Sequence, residues 1–397
     1  MKDQWDFDTE VLNRGAYING DTSTPETAPI YMTTAFNVED LDALYERYAN
    51  KDFCYNRNRN PNRRALGELM SYVENGEESV VCSSGMAAIS TAVLAMANQN
   101  AKIVSSDTLY GETLEVFDDI LKIYGVETTY VDFTNPDAVR NAVNDETTIV
   151  YTETVSNPMI SVADIEKIAK IAHDHGALLI VDNTFVTAVG YRPLDHGADL
   201  VVNSLTKFAN GHSDAVCGSV TGRSELMKKI YHFQILLGTT ADPVSSWMVQ
   251  RGMRTMSLRV ERQMENAAKL AEFFHKSPYV RKAMHPSLES HPQHELALSM
   301  FGSGERCTGM LSIYLPEDMD KLQEFMRRLK LVHYAMTLGG FRTTIAHPVS
   351  SSHYDMPKEE REKIGITDGL LRISVGIENI NDLVADFTHA LEVYEEQ

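Results

Sequence analysis

The sequence predicts an α/β protein whose mostly parallel sheet is followed by a smaller α+β domain. From about residue 65 to 220, short β-branched runs alternate with helical stretches. This alternation indicates βαβ crossovers and parallel strands. Runs such as LLIV at 178–181 are apolar throughout, as expected for strands covered on both faces. The length of 397 residues exceeds what one core usually holds, so a second domain is expected.

The α/β part contains six strand-like runs with helical stretches between them. Helical spacing is found at 85–97, 110–125, 135–144 and 162–176. The predicted strands are SVVCS (79–83), KIVSS (102–106), VETTYVDF (126–133), TTIVYTE (147–153), ALLIVDN (177–183) and DLVVNS (199–204).

Three regions are predicted along the chain. Residues 1–60 have little periodicity and read as an arm that must pack on something, such as another subunit. Residues 61–252 form the α/β domain, and 253–397 form the C-terminal α+β domain. A long helical pattern at about 243–276 links the two domains, and an amphipathic helix closes the chain after the strand-like LLRISVG at 370–376.

Composition narrows the class of protein. With 56 Asp and Glu against 36 Lys and Arg, the net charge is −20, which argues against nucleic acid and against anionic membranes as partners. The N-terminus has no signal-peptide pattern, and no apolar run reaches the length of a membrane span. The four cysteines are widely spaced and suit a reducing compartment. We therefore expect a soluble cytoplasmic protein.

Polar residues close several of the predicted strands, where parallel sheets bind their ligands. Ser84 and Gly85 precede a helix whose first N–H groups suit a phosphate, although Ser84 also fits an ordinary N-cap. Asp182 follows four apolar residues, so it is expected to be buried and to need a partner. Lys207 follows Ser204 and Thr206, and a partly desolvated lysine becomes a nucleophile towards aldehydes.

A phosphate site, an acid and an amine at the ends of one sheet match the needs of pyridoxal 5′-phosphate (PLP). The acid keeps the pyridine nitrogen protonated, and the amine binds the cofactor covalently. Arg372 lies in an apolar strand and is expected to pair with a substrate carboxylate or with an internal acid. His285, His291 and His294 lie in a polar loop before a helix, and we expect no metal site there.

Several ordered motifs resemble those of the Cys/Met-metabolism PLP enzymes. This family includes cystathionine γ-synthase, cystathionine γ-lyase, methionine γ-lyase and O-acetylhomoserine sulfhydrylase. The resemblance covers the chain from about residue 14 to its end and implies the fold type I of aspartate aminotransferase. The motifs are TAPIYMTTAF, YNRNRNPN, SSGMAAI, TLYGE, ETVSNP, VDNTF, SLTKFANGHSD and LLRISVGIEN.

The resemblance also implies residue roles. Lys207 would hold PLP covalently and move protons, Asp182 would pair with the pyridine nitrogen, and Tyr110 would stack on the ring and assist departure of the leaving group. Asn157 and Arg372 would bind the substrate carboxylate and the cofactor edge. The expected phosphate ligands are Gly85, Met86, Ser204 and Thr206, with Tyr55 and Arg57 contributed to a neighbouring subunit. Such sharing implies a homo-oligomer of at least two subunits, and a tetramer by analogy with the family.

Three positions depart from the family pattern. Glu112 stands where methionine γ-lyases typically carry Cys, Thr337 replaces a usual Ser, and Arg342 stands where cystathionine-processing members carry Glu. An Arg at that position would repel a distal ammonium group of the substrate. We hypothesise that Glu112 and Arg342 face each other near the γ-substituent and set specificity.

The expected reaction is γ-elimination or γ-replacement on an amino acid derived from homoserine or homocysteine. Lyase and transferase are equally compatible with these residues. A β-elimination of the cystathionine β-lyase type and an aminotransferase of the same fold are the alternatives. A non-enzymatic binding role is disfavoured, because the whole predicted catalytic set is present.

Overall fold

A computed structural model describes residues 6–14, 25–354 and 356–395 of the chain. Parts of the predicted arm, 1–5 and 15–24, therefore lie outside the described residues. Within these ranges, no helix has both the length and the apolar character needed to cross a membrane. The four cysteines are unpaired, and three of them are buried.

The larger sheet occupies the predicted α/β region. Within the described ranges its order is β1-β7-β6-β5-β4-β2-β3. The strands from β6 to β3 are parallel, whereas β7 runs antiparallel to both of its neighbours. The strands are β1 (Glu78–Cys82), β2 (Lys102–Ser106), β3 (Glu127–Val131), β4 (Thr147–Glu153), β5 (Leu178–Asp182), β6 (Leu200–Asn203) and β7 (Gly218–Gly222).

The predicted α/β class with a mostly parallel sheet is confirmed, but one strand of this larger sheet was not predicted. The six predicted runs coincide with β1 to β6 within two residues at each end. The seventh strand, GSVTG at 218–222, has glycine at both ends and only two β-branched residues, so its sequence signal is weak. Its burial comes from pairing between β1 and β6.

Helices cover both faces of the sheet, and alternate strand residues contact the two layers. Val80 and Ile149 belong to one buried apolar cluster, while Val81 and Val150 belong to the other. This two-sided burial explains why the strands are apolar throughout. The helices of this region are α3 (Pro61–Val73), α4 (Gly85–Met96), α5 (Gly111–Glu115), α6 (Pro136–Ala142), α7 (Ile165–Asp174), α8 (Thr187–Gly190) and α9 (Ser224–Leu237), preceded by α1 (Phe7–Asn13) and α2 (Leu41–Ala49).

The described part of the arm is attached to the large domain unevenly. Helix α1 buries Val11, whose carbonyl accepts a hydrogen bond from Arg254. Helix α2 buries none of its described residues, and Leu41 and Tyr45 on it are about 70% and 66% exposed. A helix with such an exposed apolar face is expected to contact another surface.

The predicted long helix is two helices. It consists of α10 (Pro243–Met253) and α11 (Met256–Lys276), with a break at Arg254 and Thr255. The pattern of apolar residues continues across the break, which is why periodicity alone did not reveal it. The C-terminal domain adds α12 (His294–Phe301), α13 (Met319–Arg328), α14 (Lys358–Lys363) and α15 (Ile380–Leu391) around the strands β8 (Lys282–Met284), β9 (Met310–Tyr314), β10 (His333–Tyr334), β11 (Thr344–Ala346) and β12 (Leu370–Ser374).

A loop of the second domain, at Gly339, lies against the backbone of Lys207 in the large domain. A Cβ added to Gly339 would lie 2.4 Å from the Phe208 nitrogen and 3.0 Å from the Lys207 Cα. Helix α11 fixes this loop, because Gln263 donates hydrogen bonds to the carbonyls of Gly340 (2.8 Å) and Val375 (3.1 Å). The backbone position of Lys207 therefore depends on the second domain.

We expect Gly339→Ala to displace Lys207 and to weaken cofactor binding. The matched control is Gly302→Ala, because Gly302 has φ of 71° against 74° for Gly339 but no described atom within 4 Å of an added Cβ. Both variants lose about 1 kcal/mol from the left-handed backbone, and only Gly339→Ala adds the clash. Equal PLP contents in the two purified variants would contradict this account.

Candidate active site

One cavity lies between the carboxyl ends of the large sheet and the second domain. Its volume is about 310 Å³, within the range of small-molecule sites. Strands β1, β4, β5 and β6 all end at it. Of the predicted site residues, those that line the cavity are Gly85, Met86, Tyr110, Glu112, Asn157, Asp182, Ser204, Thr206, Lys207, Thr337 and Arg372.

The N-terminus of helix α4 forms one corner of the cavity. Ser84 caps this helix by accepting a hydrogen bond from the Ala87 N–H at 3.0 Å. Gly85 contacts Ser204 so closely that an added Cβ would lie 2.7 Å from the Ser204 Cβ. The first-turn N–H groups have no partner within the helix, so this corner combines free backbone donors with the hydroxyls of Ser204 and Thr206. Such a corner suits an anion.

Asp182, which is partly buried, and Glu153, which is buried, form a pair of acids that line the cavity. They close the adjacent parallel strands β5 and β4 and are opposite each other in register. Burial raises the pKa of both carboxyls, and the proximity of Asp182 raises the pKa of Glu153 further, to well above its usual range. Hydrogen bonds from Thr184 favour the ionised form of Asp182. Asp182 is therefore the member of the pair that carries the negative charge.

Glu153 is a site residue that sequence reasoning missed. Its Oε1 accepts a hydrogen bond from the Tyr110 N–H at 2.8 Å, and its Oε2 accepts one from the Asn157 N–H at 3.0 Å. One side chain thereby fixes two segments that carry predicted site residues. The signal was present, since Glu153 closes the apolar strand β4 in the same way that Asp182 closes β5.

Lys207 is held in a form suited to nucleophilic attack. Burial lowers its pKa, and the positive charge of Arg372 lowers it further, whereas Glu112 acts in the opposite direction. A lysine with a lowered pKa has a larger fraction of neutral amine at neutral pH. The environment of Lys207 thus agrees with the predicted nucleophile.

Arg372 lies on β12 and is only 7% exposed. Its Nη1 donates to the Asn157 Oδ1 at 3.0 Å, and its Nε has no partner. Across the described ranges, no carboxylate lies within salt-bridge distance of Arg372. The predicted alternative of an internal ion pair is therefore wrong for the described chain, and a buried guanidinium remains available to a ligand anion.

Tyr110 and Glu112 lie side by side at the start of α5. Burial raises the pKa of Tyr110, and the adjacent Glu112 carboxylate raises it further, so the Tyr110 hydroxyl keeps its proton at neutral pH. The chain after α5 continues as a π-helical turn, Val116–Ile120, a distortion that is frequent at functional sites.

Three predicted site residues lie outside this cavity. Arg342 is exposed and its guanidinium stacks on Phe341, with the Cζ atom 5.2 Å from the ring centroid. The hypothesis that Arg342 faces Glu112 in the cavity is therefore wrong for this chain, because Arg342 is exposed and does not line the cavity. Tyr55 and Arg57 are also exposed and line a separate depression beside Asp242 and Pro243.

The histidines of the 285–294 loop are structural. His285 is fully buried and bonds the Thr308 carbonyl at 3.1 Å, and His291 bonds the Ile160 carbonyl at 3.1 Å. Burial lowers the pKa of each to about 4, so both are neutral at neutral pH. Helix α12 begins at His294, as the sequence predicted.

Comparison with known proteins agrees with the geometry of the site. The family described as Cys/Met metabolism PLP-dependent enzyme matches residues 8–392. The chain belongs to this family. It is 40% identical to a cystathionine beta-lyase of Lactococcus lactis subsp. cremoris, with 94% of this chain and 97% of that protein covered. It is 38% identical to an L-methionine gamma-lyase of Fusobacterium nucleatum subsp. polymorphum, over 92% and 93% of the two chains.

A solved member of the Cys/Met-metabolism family has the same fold. It is the cystathionine gamma synthase of Xanthomonas oryzae pv. oryzae, in complex with aminoacrylate and cysteine. Its TM-score to this chain is 0.93 at 32% identity, with 99% of each chain covered. The predictions of family, fold type I, PLP dependence and enzymatic activity are confirmed. The donor set fits this cofactor, since the cavity contains an anion corner, a buried acid and a desolvated lysine.

We expect Glu153→Gln to weaken PLP binding and to lower stability. Glutamine keeps one oxygen but turns an amide NH₂ towards the N–H of either Tyr110 or Asn157, which leaves a buried donor unpaired. The free energy of unfolding should fall by about 1–3 kcal/mol, as measured by chemical denaturation, with a parallel rise in the dissociation constant for PLP. Glu115→Gln, at an exposed position of the same region, is the control and should change neither quantity.

Arg372→Gln should shift the pH dependence of PLP attachment to higher pH. The Arg372 charge disfavours the Lys207 ammonium and lowers its pKa, so its removal raises that pKa. The pH at which apoenzyme binds PLP covalently at half the maximal rate should then increase, as followed by visible absorbance. Arg342→Gln serves as control, because Arg342 lies outside the cavity. A shift of equal size in both variants would refute the proximity argument.

Proposed function

We propose that this chain catalyses γ-elimination or γ-replacement on an amino acid derived from homoserine or homocysteine. The observation that carries the proposal is the arrangement of Lys207, Asp182 and Arg372 around one cavity in a member of the Cys/Met-metabolism family. Relatives named methionine gamma-lyase and cystathionine gamma synthase support a substrate with a substituent on Cγ.

We assign the cofactor contacts as follows. Lys207 holds PLP covalently, and the ionised Asp182 pairs with the pyridine nitrogen. The N–H groups at the start of α4 and two hydroxyls hold the phosphate, through Gly85, Met86, Ser204 and Thr206. Tyr110 stacks on the ring. When bound, PLP stabilises negative charge that develops at the substrate Cα.

The substrate is positioned by groups that the described chain leaves available. Arg372 pairs with the substrate α-carboxylate, since its Nε is buried without a partner. Asn157 orients Arg372 through the 3.0 Å hydrogen bond and contacts the cofactor edge. Thr337 lines the same wall and offers a hydroxyl to the carboxylate.

Proton transfers are assigned to Lys207 and Tyr110. Once the substrate amine has displaced it from the cofactor, Lys207 would move protons one at a time, taking one from the substrate Cα and giving it up before it takes one from Cβ, because its lowered pKa favours the neutral amine. Tyr110 keeps its proton and donates it to the departing sulfur or oxygen. In elimination, a thioether substrate and one water yield a thiol, 2-oxobutyrate and ammonia. In replacement, an incoming thiol takes the place of the leaving group.

A second candidate is β-elimination of cystathionine. The Lactococcus lactis relative named cystathionine beta-lyase, at 40% identity, favours it. This reaction breaks the bond between sulfur and the cysteine-derived Cβ, and its 2-oxo acid product is pyruvate rather than 2-oxobutyrate. The two reactions are therefore distinguished by their products, and an aminotransferase would release neither thiol nor ammonia.

We further propose that the active unit is a homo-oligomer, a tetramer by analogy with the family, that shares its active sites. Tyr55 and Arg57 are exposed and lie away from the cavity of their own chain. Leu41, Tyr45 and Tyr48 of α2 are each more than half exposed in the described chain, which supports a contact with another subunit. In such an assembly Tyr55 and Arg57 reach the phosphate in a neighbouring site.

The proposal predicts 2-oxobutyrate from at least one γ-substituted amino acid. Purified holoenzyme is mixed with O-acetylhomoserine, cystathionine, methionine or homocysteine, with and without sulfide, and oxo acids and amino acids are quantified. Lys207→Ala should lose the visible absorbance of covalently bound PLP and at least ~10²-fold of the activity, since both nucleophile and proton carrier are removed.

Each result has a defined consequence. Pyruvate alone from cystathionine would replace the γ-reaction with the β-reaction. The absence of any 2-oxo acid and of any replacement product from all four substrates would refute the proposal. Full activity in Lys207→Ala would refute the assigned residue.

A further inference from the structure

Glu112 is the charged residue of the cavity that the proposed function leaves without a role. Within the described ranges, the Asp, Glu, Lys and Arg side chains that line the cavity are three acids, one lysine and one arginine. Both oxygens of Glu153 accept backbone N–H groups, and Asp182 is assigned to the pyridine nitrogen. Lys207 is assigned to the cofactor and Arg372 to the α-carboxylate. Glu112 remains.

The geometry of Glu112 indicates a missing partner on the ligand side. Its Oε2 is shielded from solvent and has no hydrogen-bond partner, a state that is unfavourable for a carboxylate oxygen. The neighbouring wall does not move away easily, because an added Cβ on Gly111 would lie 2.5 Å from the Ser352 carbonyl oxygen. The Glu112 carboxylate is hydrogen-bonded to the Tyr110 hydroxyl, which leaves the unpaired Oε2 available to a group on a molecule bound in the cavity.

The position of Glu112 relates it to the reacting end of the substrate. Its negative charge acts on both Tyr110 and Lys207, which places it beside the proton donor and the nucleophile. Arg342, which was expected to face Glu112, stacks on Phe341 at the surface instead. The cavity therefore contains Glu112 without Arg342, the opposite of the cationic specificity residue that the sequence pattern suggested.

We propose that Glu112 is a specificity-determining residue that binds a cationic group on the leaving-group side of the substrate. This inference rests on the proposed function, because the α-amino and α-carboxylate groups are then already engaged by the cofactor and by Arg372. The preferred substrate class is an amino-acid thioether that bears a distal ammonium group, as in two amino acids joined through sulfur. Methionine, with a methyl group on sulfur, lacks this contact.

Two matched probes isolate the contact. S-(2-aminoethyl)-L-homocysteine keeps the distal amine of cystathionine and lacks its distal carboxylate, while S-(2-carboxyethyl)-L-homocysteine has the reverse. Binding to the holoenzyme is followed by the change in visible absorbance, and turnover is followed by 2-oxobutyrate release. We expect the wild-type protein to prefer the aminoethyl probe by about tenfold or more in kcat/KM and in affinity.

Substitutions test whether Glu112 causes the preference. Glu112→Gln should bring the ratio between the two probes close to one, and Glu112→Asp should retain it in part, because the charge is kept. Glu115→Gln, an exposed neighbour on α5, should leave the ratio unchanged. PLP content and oligomeric state are measured for every variant, so that a general defect of the site is detected.

The outcomes separate this inference from the proposed function. A ratio that Glu112→Gln does not change overturns the inference, as does an equal loss on both probes, which would indicate that Glu112 supports the site or pairs with another subunit. Wild-type binding with the expected preference but no 2-oxobutyrate from any γ-substituted substrate overturns the proposed function and leaves the specificity assignment standing.

Discussion

The parallel alignment of β4, β5 and β6 is the constraint on which the site depends. Parallel strands end on the same side of a sheet, so Glu153, Asp182 and the segment leading to Lys207 are delivered to one edge by the backbone alone. Two carboxyls at adjacent strand ends cannot both ionise cheaply in a buried place. Only one of the two is ionised, so Asp182 is the anion and Glu153 holds two loops through hydrogen bonds. Both roles follow from the register that places these residues opposite each other on β4 and β5.

A second electrostatic balance in the same cavity involves Arg372 and Lys207. Arg372 is buried without a carboxylate in the described chain, and its charge makes the ammonium form of Lys207 unfavourable. Arg372, which is available to a substrate carboxylate, is thus also the residue whose charge lowers the pKa of Lys207. Glu112 lines the same cavity and acts on the pKa of Lys207 in the opposite direction.

The sequence was sufficient to identify the site residues whose position is marked by a local pattern, namely the end of an apolar strand. Asp182 and Lys207 follow apolar strands, and their positions could be predicted from period and strand ends. Glu153 carries the same signal, but its role depends partly on the Tyr110 backbone N–H, 43 residues away along the chain, and no sequence pattern shows that contact. Arg342 was misplaced because the direction of a loop side chain is set by packing and is not encoded in a motif. Strand β7 was missed because glycine-bounded strands are held by their neighbours.

The contact between Gly339 and the Lys207 backbone has a consequence for biosynthesis. During translation Lys207 leaves the ribosome long before Gly339, Gln263 and Arg372 are all in place. In a nascent chain, Lys207 therefore lacks both the loop that contacts its backbone and the Arg372 charge that lowers its pKa. We therefore expect cofactor capture to wait until synthesis is nearly finished, and we expect prematurely terminated chains that contain Lys207 to bind the aldehyde poorly.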